Sequence, residues 1–147
     1  MYYFAYGSNM NPARLTDRGI TPLNIQAAVA DNVRLLFNKA AWRKPGVGYA
    51  TIEPAPGETV EGILYDLTAE AIALLDGYEG YPKHYRRETL RVRLADNIPV
   101  EAIAYIAQPD KIEAGLKPTA DYLSHLLAGE ACLSPAYMAR LRQTETL

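Results

Sequence analysis

Tyr2-Tyr3-Phe4-Ala5-Tyr6-Gly7-Ser8-Asn9-Met10-Asn11-Pro12 opens the chain with an aromatic and apolar run that stops at a glycine, and a helix start follows almost at once. Residues 2–6 have strand composition. Asn11 has the side chain to cap a helix and Pro12 suits the first helical position, where its missing N–H costs nothing. The stretch therefore predicts a strand, a tight loop and a short helix ending near Gly19. The backbone N–H groups of the loop Tyr6–Met10 are candidates to face an anion. Gly7 permits close approach and the helix start adds positive potential, an arrangement that holds a carboxylate or an oxyanion without a cationic side chain. Taken alone, Gly7-Ser8-Asn9 is first of all what a strand-to-helix turn requires.

Outward from this loop, Val33, Leu35 and Phe37 alternate with Arg34, Leu36 and Asn38 in an imperfect strand pattern. Val47–Ile52 predicts a further strand, closed by Pro54 and Pro56, and Val60–Leu67 another. Thr68 can cap a helix carrying Ile72, Leu75 and Tyr78, expected to end around Gly77–Gly80. From Tyr85 to Leu94, Arg87, Thr89, Arg91 and Arg93 lie on one face and Leu90, Val92 and Leu94 on the other, with Pro99–Ala107 as a partner strand. Thr119–Leu127 and Ser134–Arg142 read as closing helices. Consecutive strands with helices inserted and appended predict an α+β fold, a closed or half-closed sheet with helices outside. A length of 147 residues, 49% of them hydrophobic, predicts a single domain over 1–147.

The formal charge of -2 gives no field that gathers nucleic acid or anionic lipid, so the expected partner is a small molecule. One cysteine, Cys132, excludes an internal disulfide and a cysteine-based zinc site, and fits a reducing, cytoplasmic setting. Met1 runs straight into the aromatic stretch without a basic region and a long apolar core, so no signal peptide and no membrane span are expected. Oligomeric state, monomer or homodimer, is left open by the sequence.

Five ordered segments resemble the γ-glutamylcyclotransferases and the wider AIG2-like group. They are Tyr3–Met10; Gly48-Tyr49-Ala50-Thr51-Ile52; Glu61-Gly62-Ile63-Leu64-Tyr65; Leu74-Leu75-Asp76-Gly77-Tyr78-Glu79-Gly80; and Pro118-Thr119-Ala120-Asp121-Tyr122. Tyr85 and Tyr105 also match. The resemblance implies a small mixed β-barrel flanked by helices, with the pocket at its mouth. It further implies cofactor-free and metal-free conversion of a γ-glutamyl amide to 5-oxoproline and a free amine. Carried over position by position, Glu79 is the acid/base, and Tyr3, Phe4, Ala5, Tyr6, Gly7, Ser8 and Asn9 form the substrate loop. Tyr122 contacts substrate, and Tyr85 and Tyr105 are further pocket residues. Two segments bear on the leaving group in opposite senses. Tyr81-Pro82-Lys83-His84 is closer to bacterial and amine-specific relatives, whereas Gly7-Ser8-Asn9 differs from the Gly-Thr-Leu pattern of the γ-glutamylamine branch.

The chemistry asks for such residues. The α-amine must attack its own side-chain carbonyl, yet at neutral pH it is mostly protonated, so a base with a raised pKa is needed. Glu79 falls at the end of a predicted helix, beside Tyr78 and Gly80 rather than cations, which disfavours its carboxylate. An isolated helix-end glutamate is usually just solvated; the surrounding motif changes that reading. Three alternatives stay open: a γ-glutamylamine substrate, removal of a γ-glutamyl protecting group in biosynthesis, and a non-catalytic binding module of the same fold. His84 and His125 share no metal-ligand spacing and are expected to be surface or packing residues. Arg86, Arg87, Arg91 and Arg93 are expected on a solvated face.

Overall fold

The N-terminal run forms strand β1, Tyr2–Ala5, and its loop makes one turn of 3-10 helix at Ser8–Met10 before helix α1, Pro12–Asp17. Asn11 caps α1 through its side-chain oxygen, which accepts from the Ala13 N–H at 3.2 Å. This computed structural model describes residues 1–147 and adds strands β2 (Asn24–Ala40), β3 (Gly48–Asp66), β4 (Tyr85–Arg93) and β5 (Pro99–Ala107). They close into a barrel in the order β1-β3-β2-β4-β5. All neighbours are antiparallel except β5 and β1, which meet in parallel at Tyr3 and Ile103. Closure leaves no open sheet edge. The expected α+β architecture, a mixed barrel flanked by helices, is the one observed.

Two strand expectations need correction. The alternation beginning at Val33 marks only the second half of β2, which starts at Asn24. The expected strands 47–52 and 60–67 are parts of one strand, β3, which runs through Pro54 and Pro56. The prolines are tolerated because the ladder is irregular there. Asp31 pairs with Thr59 and Val33 with Pro54, so four residues of β3 bulge opposite Asn32. The Asn32 side-chain oxygen accepts from the Gly57 N–H at 3.0 Å and ties the bulge down.

Apolar residues fall into two clusters. One draws on all five strands and includes Phe4, Ala28, Ala30, Leu64, Val92 and Ala102, and it fills the barrel. The other joins the opposite faces of β1 and β3, through Tyr3, Ala5, Ile63 and Tyr65, to helices α1 and α2 (Ala69–Glu79), α3 (Ala120–Leu127) and α4 (Pro135–Arg142). The period-2 alternation of β1 thus sends Phe4 into the barrel and Tyr3 toward the helices.

Side-chain oxygens of Thr68, Thr119 and Ser134 cap α2, α3 and α4. Both Glu61 carboxylate oxygens receive hydrogen bonds from Ser134 at 2.7 Å, fastening the start of α4 to β3. Gly80 ends α2 in the left-handed region, at φ 66°, turning the chain immediately after Glu79. The arginines of β4 are paired at the surface: Arg86 with Glu88, Arg87 with Asp76, Arg91 with Glu101 and Arg93 with Asp31. No helix is long and apolar enough to cross a membrane.

Candidate active site

Glu79 is the last residue of α2, and the end of that helix lies against the loop after β1. Asn9, only 2% exposed, joins the two. Its side-chain N–H groups donate to Glu79 Oε1 and to the Tyr3 hydroxyl, each at 3.0 Å. Its side-chain oxygen accepts from Arg18 at 2.9 Å, and its backbone carbonyl accepts from the Tyr65 hydroxyl at 2.7 Å. Both amide hydrogens and the oxygen are therefore engaged, which fixes the amide orientation.

A cavity of about 30 Å³ lies at this junction, lined by Tyr3, Tyr6, Gly7, Ser8, Asn9, Ala50, Glu79, Tyr85, Tyr105 and Tyr122. Phe4 and Ala5 are not among its walls: both are buried in the apolar clusters. They sit next to the loop in sequence but serve packing. Gly7 keeps the wall thin, since a Cβ there would stand 3.2 Å from Ala50 Cβ and 3.5 Å from the Tyr122 hydroxyl. The Gly7 N–H makes no hydrogen bond within the protein.

The five tyrosines divide by what their hydroxyls do. Tyr6 donates to the Tyr105 carbonyl, Tyr85 to the Ala50 carbonyl at 2.8 Å, and Tyr105 to Asp76 at 2.7 Å. These three shape the wall with rings whose polar ends are already satisfied. Tyr3 and Tyr122 instead accept, from Asn9 and from the Ala50 N–H at 3.0 Å, so their hydroxyl hydrogens stay available to a ligand. Burial pushes all five hydroxyls well above the ordinary phenol range, so each remains neutral near pH 7.

Burial also raises the Glu79 carboxyl, the effect expected from sequence, but its surroundings differ from the expectation. Arg18, the Asn9 hydrogen bond, Arg14 and Lys39 all pull in the opposite direction. Tyr78 and Gly80 are its neighbours in sequence; the cations come from other elements. Desolvation outweighs them, leaving a carboxyl held by one amide donor and poised above the usual carboxylate range.

Outside this cavity lies a wider one of about 270 Å³ that shares Ser8, Glu79, Tyr85 and Tyr122 with it and adds Arg14, Arg18, Lys39, Trp42, Tyr49, Tyr78 and His84. The expectation that a ligand anion would be met by backbone alone is therefore incomplete. Lys39 is 3% exposed, and its ammonium donates to His84 Nδ1 at 3.0 Å. Sequence reasoning missed Arg14, Arg18 and Lys39. Lys39 did leave a signal, because it continues the apolar face Val33-Leu35-Phe37 at period 2, a lysine where the pattern calls for a hydrophobe. Of the two histidines expected to be surface or packing residues, His125 is a packing residue and His84 reaches the outer cavity. His84 lines the outer cavity, while His125 lies between Asn11 and Arg14 at 3.0 and 3.3 Å. Burial and the adjoining cations lower both pKa values.

The closed, helix-flanked barrel is the fold of the γ-glutamylcyclotransferase-like proteins. The family model described as gamma-glutamyl cyclotransferase, AIG2-like, matches residues 3–124, and the chain belongs to that family. No curated protein matches the chain significantly. Among solved structures, a gamma-glutamyl cyclotransferase is 22% identical over 100% of this chain and 89% of that one, with a TM-score of 0.85. An uncharacterized protein from Homo sapiens is 23% identical, covering 99% and 88%, with a TM-score of 0.86. A gamma-glutamyl cyclotransferase specific to glutathione, from yeast, is 13% identical over 96% and 93%, with a TM-score of 0.67. These likenesses establish the fold.

Proposed function

We propose that the protein cyclises γ-glutamyl amides, releasing 5-oxoproline and a free amine, with Glu79 as the acid/base. The observation that carries this reading is the Glu79 carboxyl itself. It is desolvated at a tyrosine-lined cavity, held by Asn9, and raised toward the range where a carboxylate takes up and returns a proton.

In the proposed step the substrate α-amine attacks its γ-carbonyl carbon. One carbon–nitrogen bond forms the lactam and the bond to the departing amine breaks. Glu79 accepts a proton from the attacking nitrogen and returns one to the leaving nitrogen, so product atoms balance substrate atoms without water. Donors with uncommitted hydrogens, the Gly7 N–H and the Tyr3 and Tyr122 hydroxyls, serve the α-carboxylate and the developing oxyanion. Nucleophile and electrophile share one molecule, so holding the glutamyl chain curled supplies much of the acceleration, up to about 7 kcal/mol in well-oriented cases.

The test is a panel of γ-glutamyl donors assayed for 5-oxoproline: amino-acid conjugates, amine conjugates and a γ-glutamyl-capped intermediate. Release from at least one donor is expected. Tight binding of a donor with no 5-oxoproline from any would identify a binding module instead.

A further inference from the structure

We propose that the outer cavity is a leaving-group subsite for an anionic amine, read by Lys39 and Arg14, so that the protein favours donors whose departing amine carries carboxylates. The proposal rests on the cyclisation reading and extends it to the part of the substrate that leaves.

Charge is the first observation. Arg14, Arg18 and Lys39 line the outer cavity, and none of them forms an ion pair with a protein carboxylate. Three formal positive charges thus face the single negative charge of Glu79. Arg18 is partly occupied, donating to Asn9 and resting 4.6 Å from the Tyr78 ring centroid. Lys39 and Arg14 are less committed: apart from backbone, their polar contacts are to one histidine each. A basic side chain 3% exposed without a counter-ion is unusual, because burying a charge is costly unless it is paired. A ligand carboxylate would supply the missing partner.

Geometry is the second observation. The two cavities share Ser8, Glu79, Tyr85 and Tyr122, so a substrate with its reacting carbonyl near Glu79 extends its amine side outward. The wall on that side carries Arg14 and Lys39, with the rings of Tyr49 and Tyr85 lying 5.8 and 5.5 Å from the Lys39 nitrogen. Two further cations, Arg43 and Lys83, are set against the exposed ring of Trp42, which is part of the same wall. A cationic leaving amine would enter this field against repulsion, whereas an acidic one enters with attraction.

The experiment uses three donors differing in leaving-group charge: γ-glutamyl-ethylamide, γ-glutamyl-alanine and γ-glutamyl-glutamate. For the wild type, kcat/KM for 5-oxoproline release is expected to rise roughly five- to tenfold with each added carboxylate. Raising ionic strength toward about 1 M should compress the series, since the Debye length falls to about 3 Å. Lys39→Met and, on the more exposed helix, Arg14→Gln should each flatten it. Arg14→Gln serves if the buried Lys39 position does not tolerate change. Equal kcat/KM across the series, or a preference for the ethylamide, overturns the proposal. Calorimetric titration of the three donors into Glu79→Gln separates this from failure of the cyclisation reading. Affinities rising with carboxylate number support the subsite even if no donor turns over, and flat affinities overturn it even if all do.

Discussion

The two adjoining cavities share walls but follow opposite electrostatic designs. The inner one is narrow, closed by neutral tyrosines, and its one charged group is lifted toward neutrality by burial. The outer one is wide, partly open and lined by cations without protein counter-ions. The contrast assigns the two halves of a substrate different tasks. The inner half needs exact placement of a common glutamyl group and a tunable proton. The outer half distinguishes one leaving amine from another. The inner walls come from the segments that carry the family resemblance and from the matching Tyr85 and Tyr105, whereas Arg14, Arg18 and Lys39 belong to no part of that resemblance.

Breaking the inner cavity should have the largest effect. Glu79→Gln preserves shape and still accepts from Asn9, so it should bind donor while turnover falls roughly 10²- to 10⁴-fold, measured as 5-oxoproline per unit time. Asn9→Ala comes next. It strips Glu79 and Tyr3 of their shared donor and leaves Arg18 without an acceptor, so kcat should fall further than KM rises. Removing these buried partners should also lower unfolding free energy by about 1–3 kcal/mol in urea titration. Tyr122→Phe removes a free hydroxyl and leaves the Ala50 N–H unpaired, and a smaller stability loss of about 1 kcal/mol is expected alongside weaker donor binding.

The smallest effect is on stability, and its sign separates burial from the nearby cations as the cause of the raised Glu79 carboxyl. Because the folded Glu79 carboxyl has a raised pKa, the folded protein binds its proton more tightly than the unfolded chain does. Stability from this group is therefore fully present below the unfolded pKa and is lost as pH rises through the folded value. Glu79→Gln should melt at or above the wild-type temperature at neutral pH, and the gap should close on acidification below the ordinary glutamate range. A lower melting temperature for Glu79→Gln at neutral pH would mean that the cations, not burial, set the state of the carboxyl.

Much of the barrel was legible because local signals agreed with it. Pro99–Ala107 and the Thr68 cap lie where strand composition and capping chemistry place them, and Thr119 and Ser134, the expected first residues of the closing helices, are found as their caps. The first half of β2 was silent for a packing reason: Ala28 and Ala30 face the crowded barrel interior, where small residues fit and the hydrophobic contrast is weak. Pro54 and Pro56 looked like strand ends because a proline usually is one, and only the register irregularity opposite Asn32 explains how β3 continues. At the site, the loop and Glu79 stood out through their motifs. What stayed hidden was convergence from distant elements. Arg14 and Arg18 come from α1 and its end, and Lys39 from the far end of β2, so neither spacing nor composition links them to Glu79.

The most direct test of Glu79 as the acid/base is the pH dependence of kcat/KM for 5-oxoproline release, followed in wild type and in Glu79→Gln. The wild type should show an acid limb whose midpoint lies above the ordinary glutamate range, and the residual activity of Glu79→Gln should lack that limb. The same limb in both proteins, or a wild-type midpoint at the value of a solvated glutamate, would contradict it.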